Sequence, residues 1–342
     1  MGDSTTAENT PQATLPPSGS LTRRLALGLL LGFGVLILLA LVGDLRQVSR
    51  QVFNFRWSLF PLVLLLTLFN YTLRFFKWHL YLRQIGVSNL PYKESARMFV
   101  GGFPLAVTPG KVGEGMKGVW LNRATGVAIA LGISVVVAER LSDGLAVMLL
   151  SSAGVIAYPQ YWPAFAFAMS ILLGVVIISQ IRPLALWLLG IGERLPLVRR
   201  FASGLRHFYE GSYTLFRPGM LLLAVGLGMV SWLGEGIGMY LILLGLGVPP
   251  GWNTLSVAIF TLSFSIVIGA ASALPGGLGA AEASIAGMLA LLLGLSADVS
   301  AAATLLIRFA TLWFGVALGL AVWAFSRRML GLASEPPRAE AG

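Results

Sequence analysis

The hydrophobic positions of this chain run in long blocks, without the period of about two or about 3.6 residues that marks half-buried strands and surface helices. Leu25 to Gly43 is apolar for 19 residues after Arg23-Arg24. That is long enough to cross a bilayer, and no small-x-small cleavage site follows, so the block predicts a retained first span. Further blocks begin near Ser58, Ala128 (to about Tyr158), Pro163 (to about Ile181), Gly219 (to about Gly245) and Ala301 (to about Phe325). Each predicts a membrane-spanning helix, and about six full spans result.

Two apolar stretches are interrupted instead by helix breakers. Pro109-Gly110-Lys111-Val112-Gly113 and Pro275-Gly276-Gly277-Leu278-Gly279 are each followed by a glutamate, Glu114 or Glu282. Such runs cannot continue a helix, and lipid leaves bare peptide groups unsatisfied, so each must lie inside protein or line a wet cavity. Residues 94 to 108 and 116 to 122 around the first motif fall short of a span and predict a re-entrant hairpin. Residues 253 to 273 and 281 to 294 around the second are longer, and read either as a re-entrant hairpin or as two true spans, which would give eight transmembrane helices. Arg140 follows Pro109 by 31 residues and Arg308 follows Pro275 by 33. With the first hairpin entering from the cytoplasm and the second from outside, halves at about 55–158 and 219–325 form an inverted repeat, a pattern that points to a transport site.

Composition agrees with the blocks: 56% hydrophobic and 11% charged residues exclude a soluble domain, where charge runs to about a quarter. The fold class is therefore all-α integral membrane. The formal charge of +10 suits loops against an anionic leaflet rather than nucleic acid. With no cysteine, and with His79 and His207 outside any metal-ligand spacing, no metal or other cofactor is expected. Gly113 to Gly118 spells GxGxxG without the strand and βαβ unit that a dinucleotide site needs. Lys77, Arg83, Lys93, Arg97, Lys111, Lys117 and Arg123 would share the cytoplasmic side with Arg182, Arg194, Arg199, Arg200, Arg206, Arg217, Arg327 and Arg328, which puts both termini inside. Residues 1–20 and 329–342 read as disordered tails flanking a membrane domain over 21–328. The linker 182–218 reads as amphipathic helix, either on the membrane surface or packed on the domain's cytoplasmic face.

The costliest segment is Glu139-Arg140-Leu141-Ser142-Asp143, since each ionised group near the bilayer centre costs about 2.5 to 3.5 kcal/mol. Glu139 and Asp143 share a helix face, and Arg140 is placed to reach Asp143. Arg308, the one cation in the middle of the last block, is the expected partner of these carboxylates, and Glu235 stands unpaired in its own block. The cluster is read as a polar cavity or as a structural ion network. Glu114, with Lys111 and Lys117, and Glu282 lie at half-helix starts, where they cap the helix or share it with a bound phosphate or carboxylate. Arg74, Lys77 and Trp78 at the inner end of their span read as snorkelling or as a phosphate contact.

The ordered set of Arg74 with Lys77-Trp78, Pro109 to Glu114, Glu139-Arg140 with Asp143, Glu235, Leu274 to Gly279 with Glu282, and Arg308 near Trp313 resembles the flippase-like family. That family includes the lysylphosphatidylglycerol synthase transmembrane domain and the UPF0104 proteins, and the resemblance covers about residues 22 to 328. It implies movement of a phospholipid or glycolipid with a polar head group across a bacterial inner membrane. The substrate contacts would come from Arg74, Lys77, Pro109, Lys111, Glu114, Glu139, Arg140, Asp143, Glu235, Pro275, Gly276, Gly279, Glu282 and Arg308. Lys77 stands where the family's Arg-Trp pair has arginine, which removes a bidentate phosphate contact there. Nothing reads as the soluble aminoacyl-transfer domain, so synthase activity is not expected. An enzyme that modifies lipid within the membrane and a scaffold for envelope assembly are the alternative readings. Expected partners are the lipid substrate, anionic lipid of the cytoplasmic leaflet and, in an assembly, a second copy of the chain.

Overall fold

The computed structural model describes residues 44–108, 113–157, 162–194 and 202–326, together with Ala26, Leu30, Gly32 and Gly34 of the first apolar block. Both tails, most of the first block, the Pro109–Val112 stretch and the arginines at 199, 200, 327 and 328 lie outside these residues. The described chain is helical, with no strand among the described residues. A short helix α1 (Leu45–Asn54) is capped by Asp44, whose carboxylate accepts from the Arg46 amide. It leads into α2 (Phe60–Gln84), which begins with Pro61 in its first turn, where a missing N–H costs nothing.

The first Pro-Gly region is a short hairpin. Its arms α3 (Tyr92–Gly101) and α4 (Met116–Thr125) have 10 residues each. At 1.5 Å per residue each reaches about 15 Å, half of the hydrocarbon thickness, so neither crosses a bilayer. Between them the chain tightens into a 3₁₀ turn, Phe103–Val107. The Thr108 hydroxyl donates to the Leu105 carbonyl at 2.6 Å and accepts from the Gly113 amide at 2.9 Å, closing the loop around its neck.

Helix α5 (Ile129–Ala157) and helix α6 (Trp162–Gln180) follow, and α6 turns by 93° at Ile181 into α7 (Arg182–Glu193). Trp187, Leu186 and Leu188 on α7 are exposed. Helix α8 (Ala202–Leu215) instead buries Tyr209, Gly211, Ser212 and Leu215, with Gly211 close against Ser134 of α5. The second part of the linker is therefore packed on α5.

Helix α9 (Pro218–Gly245) forms the centre, packed on α2, α5 and α10. Its Gly236 faces Ile259 of α10 so closely that a Cβ would stand 2.9 Å from the Ile259 side chain and 3.2 Å from its Cα. Helix α10 (Trp252–Ala271) and helix α11 (Ala280–Leu293) pack against each other as the second hairpin, joined through the Pro275–Gly277 turn. The last block is α12 (Ala297–Arg308), a π turn at Phe309–Trp313 and α13 (Phe314–Phe325).

Among the described residues, five helical segments are long and apolar enough to cross a membrane, six if the bent pair α6–α7 counts as one. The 29-residue α5 has the length but carries three charges. One apolar core gathers Trp78, Phe99, Leu105 and Trp120 around α2 to α5, and another gathers Met239, Ile242, Leu289 and Ile307 around α9 to α12. The Phe103–Val107 turn touches the Pro275–Gly277 turn, so the tips of the two hairpins meet, with Gly276 against Val107.

Candidate functional site

Helix α2 places Arg74, Lys77 and Tyr81 on one face at i, i+3 and i+7, and α5 places Glu139 and Asp143 on one face at i and i+4. Where these faces meet, the Arg74 Nη2 donates to Glu139 Oε1 at 2.9 Å and its Nε lies 3.3 Å from Asp143 Oδ2. The Lys77 ammonium donates to Asp143 Oδ1. Tyr81 donates to Ser142 Oγ at 3.0 Å, tying the same two helices. The first hairpin adds Lys117, whose Nζ donates to Glu139 Oε2 at 3.2 Å and sits 5.2 and 5.0 Å from the centres of the Trp78 and Phe99 rings. Gly102 leaves the room through which the Lys117 stem passes. Arg140 closes the network, with Nη2 2.8 Å from Glu139 Oε1 and Nε 3.2 Å from Glu114 Oε2.

A second group is built on the other hairpin. Gly276 and Gly277 sit at φ 62° and 69°, left-handed backbone that an L side chain adopts only at a cost of about 1–2 kcal/mol. Glu282 accepts from the Gly279 amide at 2.6 Å, capping the first turn of α11. Its other oxygen accepts from Arg308 Nε at 2.5 Å, and Arg308 Nη2 donates to the Gly276 carbonyl at 3.2 Å. The π turn begins immediately after Arg308, and the Thr311 carbonyl within it accepts from the Tyr71 hydroxyl at 2.5 Å. Such turns free a carbonyl from the helical ladder and recur at functional sites.

Both groups open on one cavity of about 150 Å³. Arg74, Lys117, Arg140 and Arg308 line it with Glu114 and Glu235, Tyr71 and Trp232, and Gly276 at the hairpin tip. The cations stand forward of the carboxylates that hold them. The Arg140 side chain is 30% exposed and that of Arg308 13%, whereas Glu139 is 0% and Glu282 1%. Arg74 Nε and Arg140 Nε are buried against Asp143 and Glu114 as ion pairs without a hydrogen bond of good geometry. Glu235 is 5% exposed and faces the cavity with no cation within 4 Å among the described residues.

This geometry revises several sequence expectations. Arg74 and Lys77 do not snorkel. They are 8% and 1% exposed, drawn inward by carboxylates whose burial without a cation would cost more than bending a flexible stem. Lys117, counted with the cytoplasmic loop charges, is 2% exposed for the same reason. Arg308 pairs with Glu282, not with Glu139 or Asp143, because the tip of the second hairpin brings a carboxylate nearer than α5 does. Arg140 pairs with Glu114 and Glu139 rather than with Asp143, which α2 already occupies. Glu114 serves that ion pair, and α4 starts two residues later. Pro109 and Lys111 lie outside the described residues. Pro275 is buried beneath the tip, and Gly279 contributes its amide to the cap. Tyr71 and Trp232 were not singled out in the sequence, yet each precedes a chosen charge by three residues, Arg74 and Glu235, on the same helix face. That spacing was the available signal.

An all-helical chain whose apolar helices enclose a network of ionised side chains around a hairpin-lined cavity belongs to the multi-pass membrane proteins. The chain matches the family described as Lysylphosphatidylglycerol synthase TM region over residues 25–319, and it belongs to that family. A UPF0104 membrane protein of Methanothermobacter thermautotrophicus is 26% identical to it over 308 residues, covering 83% of this chain and 89% of that protein.

Proposed function

We propose that the protein moves a lipid across its membrane by passing the polar head group through the cavity where the two hairpins meet, with an anionic phosphate as the group recognised. The observation that carries this reading is the cation-forward wall. Arg74, Lys117, Arg140 and Arg308 line the cavity while Glu139, Asp143 and Glu282 stand behind them. A structural network has no need to aim its positive members at open space, and ionised groups this deep in a membrane protein default to a substrate path. The Arg140 and Arg308 side chains, 30% and 13% exposed, present guanidinium groups that suit a tetrahedral anion. The meeting of two hairpin tips fits two inverted halves acting around a central site. Ion pairing of Glu139, Asp143, Glu114 and Glu282 leaves these carboxylates poorly placed for acid or base chemistry, which favours transport over lipid modification.

On this reading the protein resides in a bacterial cytoplasmic membrane with both termini inside, and the basic linker lies against anionic lipid. The test is reconstitution of purified protein into liposomes that contain tail-labelled NBD phosphatidylglycerol, followed by dithionite bleaching from outside. Transport brings the inner-leaflet label within reach, so bleaching proceeds beyond the half seen in protein-free vesicles. Bleaching equal to that of protein-free vesicles would overturn the reading.

A further inference from the structure

Every charged side chain lining the cavity has an ion-pair partner among the described residues except Glu235. Burying an ionised carboxylate without a partner costs several kcal/mol, and a group so placed takes up a proton or waits for a cation. Helix α9 holds Glu235 at the crossing of the two halves. Arg74 and Tyr71 face it from α2, Arg140 and Asp143 from α5, and Arg308 from α12, while α10 and the Trp57–Leu59 turn bring no titratable group to it. Arg74 and Arg308 are the cations whose fields reach Glu235, and each already holds a carboxylate of its own, Glu139 for one and Glu282 for the other. Displacement of either arginine toward a bound anion would change the charge that Glu235 experiences.

We propose that Glu235 is the proton-exchanging carboxylate of the cavity and that passage of the head group is coupled to proton movement through it. The proton adds to a carboxylate oxygen to give the neutral acid and leaves toward water on the other side. No nucleotide or second reactant is required. The proposal rests on the transport reading, because a cavity that moves no lipid has nothing to couple.

Liposomes holding NBD phosphatidylglycerol and the purified full chain are given a pH gradient of one unit, with the membrane potential clamped by potassium and valinomycin. For one proton per lipid the steady-state distribution of the label between leaflets shifts about tenfold in the wild type, the equivalent of about 1.4 kcal/mol. Glu235→Gln removes the shift and Glu235→Asp retains it. A second measurement needs no transport: infrared spectra of the wild type show a protonated-carboxyl band that grows as pH falls and is missing from Glu235→Gln. Lipid movement in the wild type that ignores the gradient overturns the proposal, as does a band that is absent or that survives in Glu235→Gln. Failure of the wild type to move label under either condition overturns the transport reading instead, and the infrared band then decides whether Glu235 exchanges a proton.

Discussion

Glu139 accepts from three cations carried by three helices: Arg74 of α2, Lys117 of α4 and Arg140 of its own helix. Its loss strands Lys117 and leaves Arg74 and Arg140 with one carboxylate each, Asp143 and Glu114, so Glu139→Gln should destabilise the protein by about 3–5 kcal/mol. Lys117→Met leaves Glu139 with two partners and should cost clearly less. Thermal unfolding of both variants in detergent, followed by tryptophan fluorescence, gives the order. Arg308 supplies the complementary case. Arg308→Met alone leaves Glu282 buried and unpaired, whereas Arg308→Met with Glu282→Gln keeps an acceptor for the Gly279 amide and removes both charges. The double variant should recover most of the unfolding temperature, while NBD-lipid movement stays lost because the cation has gone from the cavity wall. Recovery of full transport would leave Arg308 a structural residue. The identities of these charges were legible in the sequence, since ionised residues inside apolar blocks are too costly to be incidental. Their pairing was not. Which carboxylate faces Arg308 depends on where the second hairpin tip lands, a distance of which the helical period along one block carries no record.

At the scale of the elements, helix limits were the most legible feature. The blocks predicted from about Ala128, Pro163 and Gly219 appear as Ile129–Ala157, Trp162–Gln180 and Pro218–Gly245, because length and apolarity alone set a membrane helix. The half-length arms of the first hairpin followed from Gly101, Gly102 and Pro104. The π turn was invisible, since nothing in Phe309–Trp313 breaks a helical pattern. The hairpin tip offers an element-scale prediction. Gly277 is buried with φ 69°, and a Cβ there would stand 2.9 Å from the Gly269 Cα. Gly277→Ala should therefore cost more than the 1–2 kcal/mol or so of left-handed strain alone, because backbone on the facing helix cannot move aside as a side chain does. Gly287→Ala, in open space on the same hairpin, should be close to neutral in the same unfolding assay.

For the whole molecule, the burial of Lys77 and Lys117 removes two residues from the loop charges that suggested orientation. Arg83, Lys93, Arg97, Arg123 and the linker arginines still carry the bias. A chain free of cysteine makes sidedness measurable. Asn253 and Ser296 are exposed at the ends of helices opposite the linker in the expected orientation. Asn253→Cys and Ser296→Cys should react with an impermeant thiol reagent in intact cells. Reaction of Ser296→Cys only in opened membranes would reverse the orientation.

The π turn at Phe309–Trp313 amounts to one residue spliced into a helix. Removing that residue would swing everything beyond it by about 100° and draw it back by about 1.5 Å. What lies beyond is the helix whose Gly315 faces the Tyr71 hydroxyl and whose Gly319 faces the Pro104 ring. These are the small surfaces that let it nest against α2 and the first hairpin. The register of the final helix, and with it its fit against α2 and the first hairpin, thus hangs on a single insertion. A shorter relative would have to present a different pair of small residues to the same hairpin.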